Sequence, residues 1–232
     1  MRDGDQTLVR KLRLFADMEE ENFADLMQIA YLQTFPRQVQ LITEGEAADF
    51  LHIVVSGAVE LFARSNGRET TMEVVRPVAT FILAAVLKDA VYLMSARTLE
   101  KSSVLLIPAE NIRAVMARDQ HFDKAIITEL ASRYRAVVKA QKDLKLRTGV
   151  ERLANYLLRQ EIEQGGTGHL VLPIDKRTLA GRLGMTPENL SRAFGTLKPY
   201  GVAVDGAEIR LTLPDDLAGL AKPNPLIDDP DV

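Results

Sequence analysis

The apolar positions along the chain change period three times, and each change marks a new kind of element. Leu8, Leu12 and Phe15, then Phe23, Leu26, Ile29 and Ala30, recur at helical spacing, which predicts helices over residues 7–33. From Thr34 the apolar runs become short and rich in β-branched residues: Val39–Thr43, Phe50–Val55, Ala58–Phe62, Thr71–Val75 and Ser103–Ile107. Turn residues separate them at Glu44-Gly45-Glu46, Ser56-Gly57 and Asn66-Gly67. Short strands at even spacing predict a small β-sandwich or β-roll. Asn66-Gly67 predicts a tight hairpin, because both central residues of a type I′ turn need positive φ.

After Pro108 the period is helical again. A short helix is expected over 109–118. Phe122, Ile126, Leu130, Tyr134, Val137, Gln141 and Leu144 then follow at spacings of four and three, on one side of a single long helix. A helix of about 25 residues spans roughly 38 Å, more than so small a domain buries. Its apolar stripe is covered either by a second copy about a two-fold axis or by its own β-domain. The first outcome makes a homodimer, with Phe122, Ile126, Leu130, Tyr134, Val137 and Leu144 at the interface.

A third pattern starts at Thr148. Val150, Leu153, Ala154, Leu157 and Leu158 predict a helix that stops before Gln164-Gly-Gly-Thr-Gly, and Leu170–Ile174 reads as a strand. Residues 176–197 carry the most information. Leu179, Ala180 and Leu183 form the apolar face of a first short helix. Gly184 can take the left-handed conformation that ends it. Thr186 is a good N-cap, and Pro187 suits the first helical position. Leu190, Ala193, Phe194 and Leu197 then face inward, which turns Glu188, Ser191 and Arg192 outward near the helix start. That is the arrangement of a recognition helix in the DNA major groove. Arg192 can give two hydrogen bonds to a guanine edge, Glu188 can accept from a cytosine amino group, and Ser191 can touch an edge or a thymine methyl. Thr186, Asn189, Lys176 and Arg177 are expected beside them at the duplex. Val202–Leu211 reads as two strands about Asp205-Gly206, a wing. A three-helix packing unit with solvated charges is the competing account.

Charge agrees with that placement. The net charge is −3, yet residues 133–200 hold 13 Lys/Arg against 6 Asp/Glu. A basic middle between acidic flanks fits a segment that meets phosphates, although a solvated helical face gives the same count. Apolar residues make up 47% of the chain, enough for a real core, and no run reaches the ~18 residues of a membrane helix. The polar start lacks the apolar stretch of a signal peptide, so a cytoplasmic location away from membranes is expected. There is no cysteine, which excludes disulfides, cysteine-ligated iron–sulfur clusters and thiol nucleophiles. The three dispersed histidines, His52, His121 and His169, form no catalytic constellation, and no glycine-rich phosphate loop is present. An enzyme is not expected.

The order of strands, long helix and winged motif resembles the Crp–Fnr superfamily of transcription regulators. The fragments that carry the resemblance are Leu14-Phe15, Gly45–Leu51, Val55–Leu61 and above all Leu179–Arg192, over nearly the whole chain. It implies an α+β fold: a β-roll sensor like a cyclic-nucleotide-binding domain over 1–118, a dimerisation helix and hinge over 119–147, a winged helix-turn-helix over 148–222, and a tail over 223–232. Glu188-x-x-Ser191-Arg192 is similar to the branch that favours TTG half-sites. The resemblance also implies an inverted-repeat operator and RNA polymerase as a partner.

Cyclic-nucleotide binders of this superfamily carry Gly-Glu and, about ten residues on, Arg-Ser/Thr for the phosphate and ribose. Here Ile82 and Leu83 stand for the first pair and Tyr92-Leu93-Met94 surround the second, so no cyclic nucleotide is expected. The run Phe81–Leu87 with Tyr92–Glu100 resembles the nitrogen-oxide branch, the NnrR and Dnr regulators of denitrification. That implies nitric oxide sensed through haem, in a pocket of Phe81, Ile82, Leu83, Leu87, Tyr92, Leu93 and Met94, with His52 or His121 as iron ligand. The same run also reads as plain core, which would make the protein insensitive to ligand or responsive to another one.

Overall fold

The computed structural model describes residues 3–229 and divides into two compact units, Met1–Tyr134 and Arg135–Val232. In the first, helices α1 (Asp3–Arg10) and α2 (Glu20–Ile29) precede eight strands: β1 (Tyr31–Phe35), β2 (Gln40–Ile42), β3 (Phe50–Ser56), β4 (Val59–Ser65), β5 (Arg68–Val75), β6 (Ala79–Phe81), β7 (Ser95–Thr98) and β8 (Ser102–Pro108). A short helix α3 (Leu83–Lys88) lies between β6 and β7. Then follow α4 (Ala109–Met116) and the 27-residue α5 (Gln120–Leu146), which runs on into the second unit.

The strands form two antiparallel four-stranded sheets, ordered β1-β8-β3-β6 and β2-β7-β4-β5. In the first sheet Leu51 pairs with Ile107 and Ile53 with Leu105. These four side chains are fully buried, with Leu26 of α2 and Ile112 of α4 in the same core. Paired residues share a face, so Tyr31, Leu106, His52 and Phe81 make one row on the opposite face. The expected Asn-Gly hairpin joins β4 to β5, with φ of 51° at Asn66 and 73° at Gly67.

Three local features change or refine the sequence reading. The helical stretch ends at Ile29, and Tyr31–Phe35 is a strand whose Leu32 faces the core while Tyr31 is exposed. Phe81–Leu87 comprises the end of β6 and the start of α3, split at Ile82. That residue sits at φ 60°, ψ 26°, a conformation a β-branched side chain adopts only under strain.

The third change concerns α5. Phe122 and Ile126 are buried in the core of the first unit, and Leu130 packs against that core. Phe122 stacks on Phe15 at 5.7 Å between ring centroids. Buried Asp119 starts the helix by accepting from the Phe122 N–H (3.0 Å), and it also accepts from the Glu19 N–H and the Asn22 amide of α2. Phe122 and Ile126 therefore belong to their own domain and not to a dimer seam. Exposure begins beyond them, at Ile127 (60%), Tyr134 (71%) and Val137 (63%).

In the second unit, α6 (Gly149–Glu163) opens with a capping box between Thr148 and Glu151. Strand β9 (His169–Val171), α7 (Lys176–Arg182), α8 (Pro187–Leu197), a single 3₁₀ turn, β10 (Val202–Asp205), β11 (Glu208–Leu211), α9 (Pro214–Ala221) and α10 (Pro225–Asp228) follow. The three strands form a sheet ordered β10-β11-β9. Leu144 is half exposed but leans on the turn after α7: a Cβ on Gly184 would stand 2.7 Å from its Cδ2.

Residues 223–229 are ordered, where a tail was expected. Asn224 caps α10, and Asp228 pairs with both Arg147 and Arg159. The Arg147 and Asp228 side chains are 7% and 11% exposed, so this carboxylate ties the chain end to the junction of α5 and α6. Residues 230–232 lie outside the described part.

Candidate nucleic-acid interface and sensor cavity

The two short helices α7 and α8 are built as the sequence implies. Asp175 caps α7 by accepting from the Thr178 N–H at 2.8 Å, and Thr186 caps α8 by accepting from the Asn189 N–H at 3.3 Å. Between them Gly184 takes φ 63°. Leu190, Ala193, Phe194 and Leu197 are buried, so helical geometry puts Glu188, Asn189, Ser191 and Arg192 on the exposed face.

The exposed groups are partly organised already. Arg192 approaches the Asn189 amide oxygen at 3.5 Å. The Glu188 carboxyl lies below the usual carboxylate range, held there first by its own backbone N–H at the helix start, then by the Thr186 hydroxyl and the Arg192 charge. It stays an acceptor at neutral pH, as contact with a cytosine amino group requires. Lys176 places its ammonium over the Phe194 ring, 5.8 Å from the centroid, and Arg177 is exposed beside it. The Thr186 hydroxyl is engaged as a cap, so its first role is to fix the start of α8.

Sequence reasoning missed Arg152. It is buried, with Nε donating to the Leu183 carbonyl (2.8 Å) and Nη1 to the Arg147 carbonyl (2.6 Å). One guanidinium thus satisfies the orphan carbonyls at the ends of α7 and α5. An arginine at an inward helical position of α6 was the available signal.

In the first unit most of the greasy run is packed into the core. Phe81, Leu83 and Tyr92 are buried in the core, Ile82, Leu87 and Met94 are partly buried against it, and Leu93 is 77% exposed. This burial fits the packed-core reading of the stretch. Only Tyr92 of the seven borders a described cavity, one of about 430 Å³ that also has Tyr31, Phe35, Phe50 and His52 in its walls. His121, by contrast, is exposed on the first turn of α5, and His169 lies 3.5 Å from Glu208 on the wing. Among the described residues no group of three or more acidic or histidine side chains can hold a metal ion.

His52 is 3% exposed, and its Nδ1 lies 3.1 Å from the Phe50 carbonyl. Burial lowers its pKa from 6.5 to about 4, against the opposing carbonyl bond. The ring is therefore neutral, and because a carbonyl only accepts, the proton sits on Nδ1. Nε2 is left as an acceptor with no partner among the described residues.

A β-roll, a long helix and a capped helix pair with a wing define a DNA-binding protein. Comparison with known proteins agrees on both halves: the cyclic nucleotide-binding domain family matches residues 32–119, and the Crp-like helix-turn-helix domain family matches residues 151–220. The chain belongs to the Crp–Fnr family, whose members are transcription regulators and not enzymes. The CRP-like cAMP-activated global transcriptional regulator of Mycobacterium tuberculosis is 23% identical over 93% of this chain and 99% of its own. Among solved structures, FixK2 from Bradyrhizobium japonicum is 24% identical, with a TM-score of 0.70 over 83% of this chain and 97% of that one. DNR from Pseudomonas aeruginosa is 22% identical, with a TM-score of 0.53 over 95% and 99%. At these identities the two structures share the fold.

Two predictions follow from this geometry. Arg192→Ala should cost about 1–3 kcal/mol on the preferred duplex and flatten discrimination at one guanine, whereas Lys176→Ala or Arg177→Ala should weaken all sequences alike. Competition titrations on specific and random duplexes separate the two classes. For His52, the unfolded chain binds a proton below pH 6.5 that the folded domain refuses until about pH 4. Stability of the first unit is therefore full above pH 6.5 and falls by about 3 kcal/mol as the pH drops to 4. Urea melts across that range should show the loss, and His52→Gln should remove most of the slope.

Proposed function

We propose that the protein works as a homodimer on an inverted-repeat operator with TTG-like half-sites, one α8 helix to each half-site, in concert with RNA polymerase. The observation that carries this reading is the exposed row Glu188, Ser191, Arg192 on a capped helix whose other face is core. The dimer forms through the part of α5 that its own domain leaves bare, Ile127, Tyr134 and Val137. Ile127 stands one heptad before Tyr134 and replaces Phe122 and Ile126 in the seam. A two-fold pair presents its recognition helices about 34 Å apart, one turn of DNA.

In this reading the effector is not a cyclic nucleotide. Ile82 and Leu83 supply neither of the polar groups of a phosphate-and-ribose cassette. Arg97, on the strand that follows, is already paired with Glu60 (2.7 Å) and Glu69 (2.8 Å). Nitric oxide sensed through haem is a second reading, and His52 favours it: its Nδ1 donates to a carbonyl and its Nε2 is free, the state of an iron-ligating histidine. The surrounding residues do not fit the group. The cavity beside His52 has Glu46 and Asp49 in its lining and no Lys or Arg to meet the haem propionates.

Both parts can be tested on the purified protein. Val137→Glu sets a charge in the seam and should dissociate the dimer in sedimentation runs and abolish operator binding while each unit stays folded. A dimer that survives this change would place the seam elsewhere. In a haem titration we expect no saturable Soret band. A band at one haem per chain, lost in His52→Ala and shifted by nitric oxide, would establish the second reading.

A further inference from the structure

The cavity beside His52 has a chemistry that neither the phosphate cassette nor haem explains. Four of its walls are aromatic: Tyr31, Phe35, Phe50 and Tyr92. Its volume, about 430 Å³, lies within the usual range of small-molecule sites. The ionisable groups in the lining other than tyrosine are Glu46, Asp49 and His52. Each of these offers acceptors towards a ligand: two carboxyl groups, and a ring whose one proton is committed to the Phe50 carbonyl. Neither lysine nor arginine is present to offset them. Burial raises the pKa of the Tyr92 hydroxyl, and the charges of Asp49 and Glu46 add to the rise, which puts both carboxylates within electrostatic reach of the cavity wall.

We infer that this cavity is a binding site for a small organic cation, an ammonium carried on an apolar or aromatic body. Aromatic faces attract a cation through their quadrupole, the two exposed carboxylates of the lining supply its countercharge, and the buried His52, whose Nε2 has no partner among the described residues, can accept an N–H from it. The same charges repel phosphates and carboxylates, so the site selects against the nucleotide ligands suited to a phosphate cassette. The site lies wholly within the first unit, between the β1 edge, β2, the β2–β3 loop and Tyr92. The inference rests on the proposed reading of this unit as a ligand sensor and names the class of effector.

Calorimetry on the full-length protein tests it with three probes of one shape: phenethylamine, phenethyl alcohol and phenylacetate. The expected result is saturable binding of phenethylamine at one per chain, about tenfold or more tighter than the alcohol, and no binding of the acid. Glu46→Gln with Asp49→Asn should weaken phenethylamine about tenfold or more, while the alcohol is unaffected. Both substituted residues are exposed, and an unchanged melting temperature checks that the variant folds. Equal affinity for amine and acid, no binding of the amine, or full affinity in the double variant would each overturn the assignment. Operator binding is measured separately on the same preparation. Amine binding without operator binding would sink the regulator reading and leave the site standing. Operator binding without amine binding would do the reverse.

Discussion

Phe122 stacked on Phe15 is the contact on which the rest of the proposed arrangement depends. It fixes the start of α5 inside the core of the first unit, with Asp119 capping the helix and holding α2 to the same point. A 27-residue helix spans about 40 Å, so a domain that buries its first turns leaves the middle of it bare. The residues left bare are apolar at heptad spacing. The stripe on Ile127, Tyr134 and Val137 is thus a consequence of the anchoring: the start of the helix is covered by its own core, and the exposed middle is the part that the proposed dimer covers.

The second unit applies the same economy to the end of that helix. Arg147 is held by Asp143 and Asp228, and its carbonyl accepts from Arg152, which also closes the end of α7. Gly184 leaves room for Leu144 at the turn between α7 and α8. The turn that sets the angle of the recognition helix is therefore packed on the last residues of α5.

How legible the molecule was in its sequence depended on the range of the interaction. Asn66-Gly67, Thr186-Pro187 and Gly184 act through their own backbone, and each turn or cap formed where the residue type requires it. The exposed row of α8 followed from helical period alone. What the sequence hid was the identity of the covering surface. Phe122 and Tyr134 lie on one helical stripe, and nothing local distinguishes the residue that meets Phe15 from the one that meets solvent. The Phe81–Leu87 run gave the right polarity but not the point where strand gives way to helix, because the positive φ of Ile82 contradicts its own side-chain preference. The cavity at His52 joins residues from β1 to Tyr92, far apart in sequence, and only sheet register brings them together.

The central claim is that two copies of α8 read one duplex through Glu188, Ser191 and Arg192. Methylation interference at guanine N7 on a selected operator tests it most directly, because N7 lies in the major groove at the atom Arg192 would contact. The account predicts two symmetry-related guanines about one helical turn apart whose methylation blocks binding, with the block lost at both in Arg192→Ala. A single interfering guanine, or a pattern unchanged by that substitution, would contradict it.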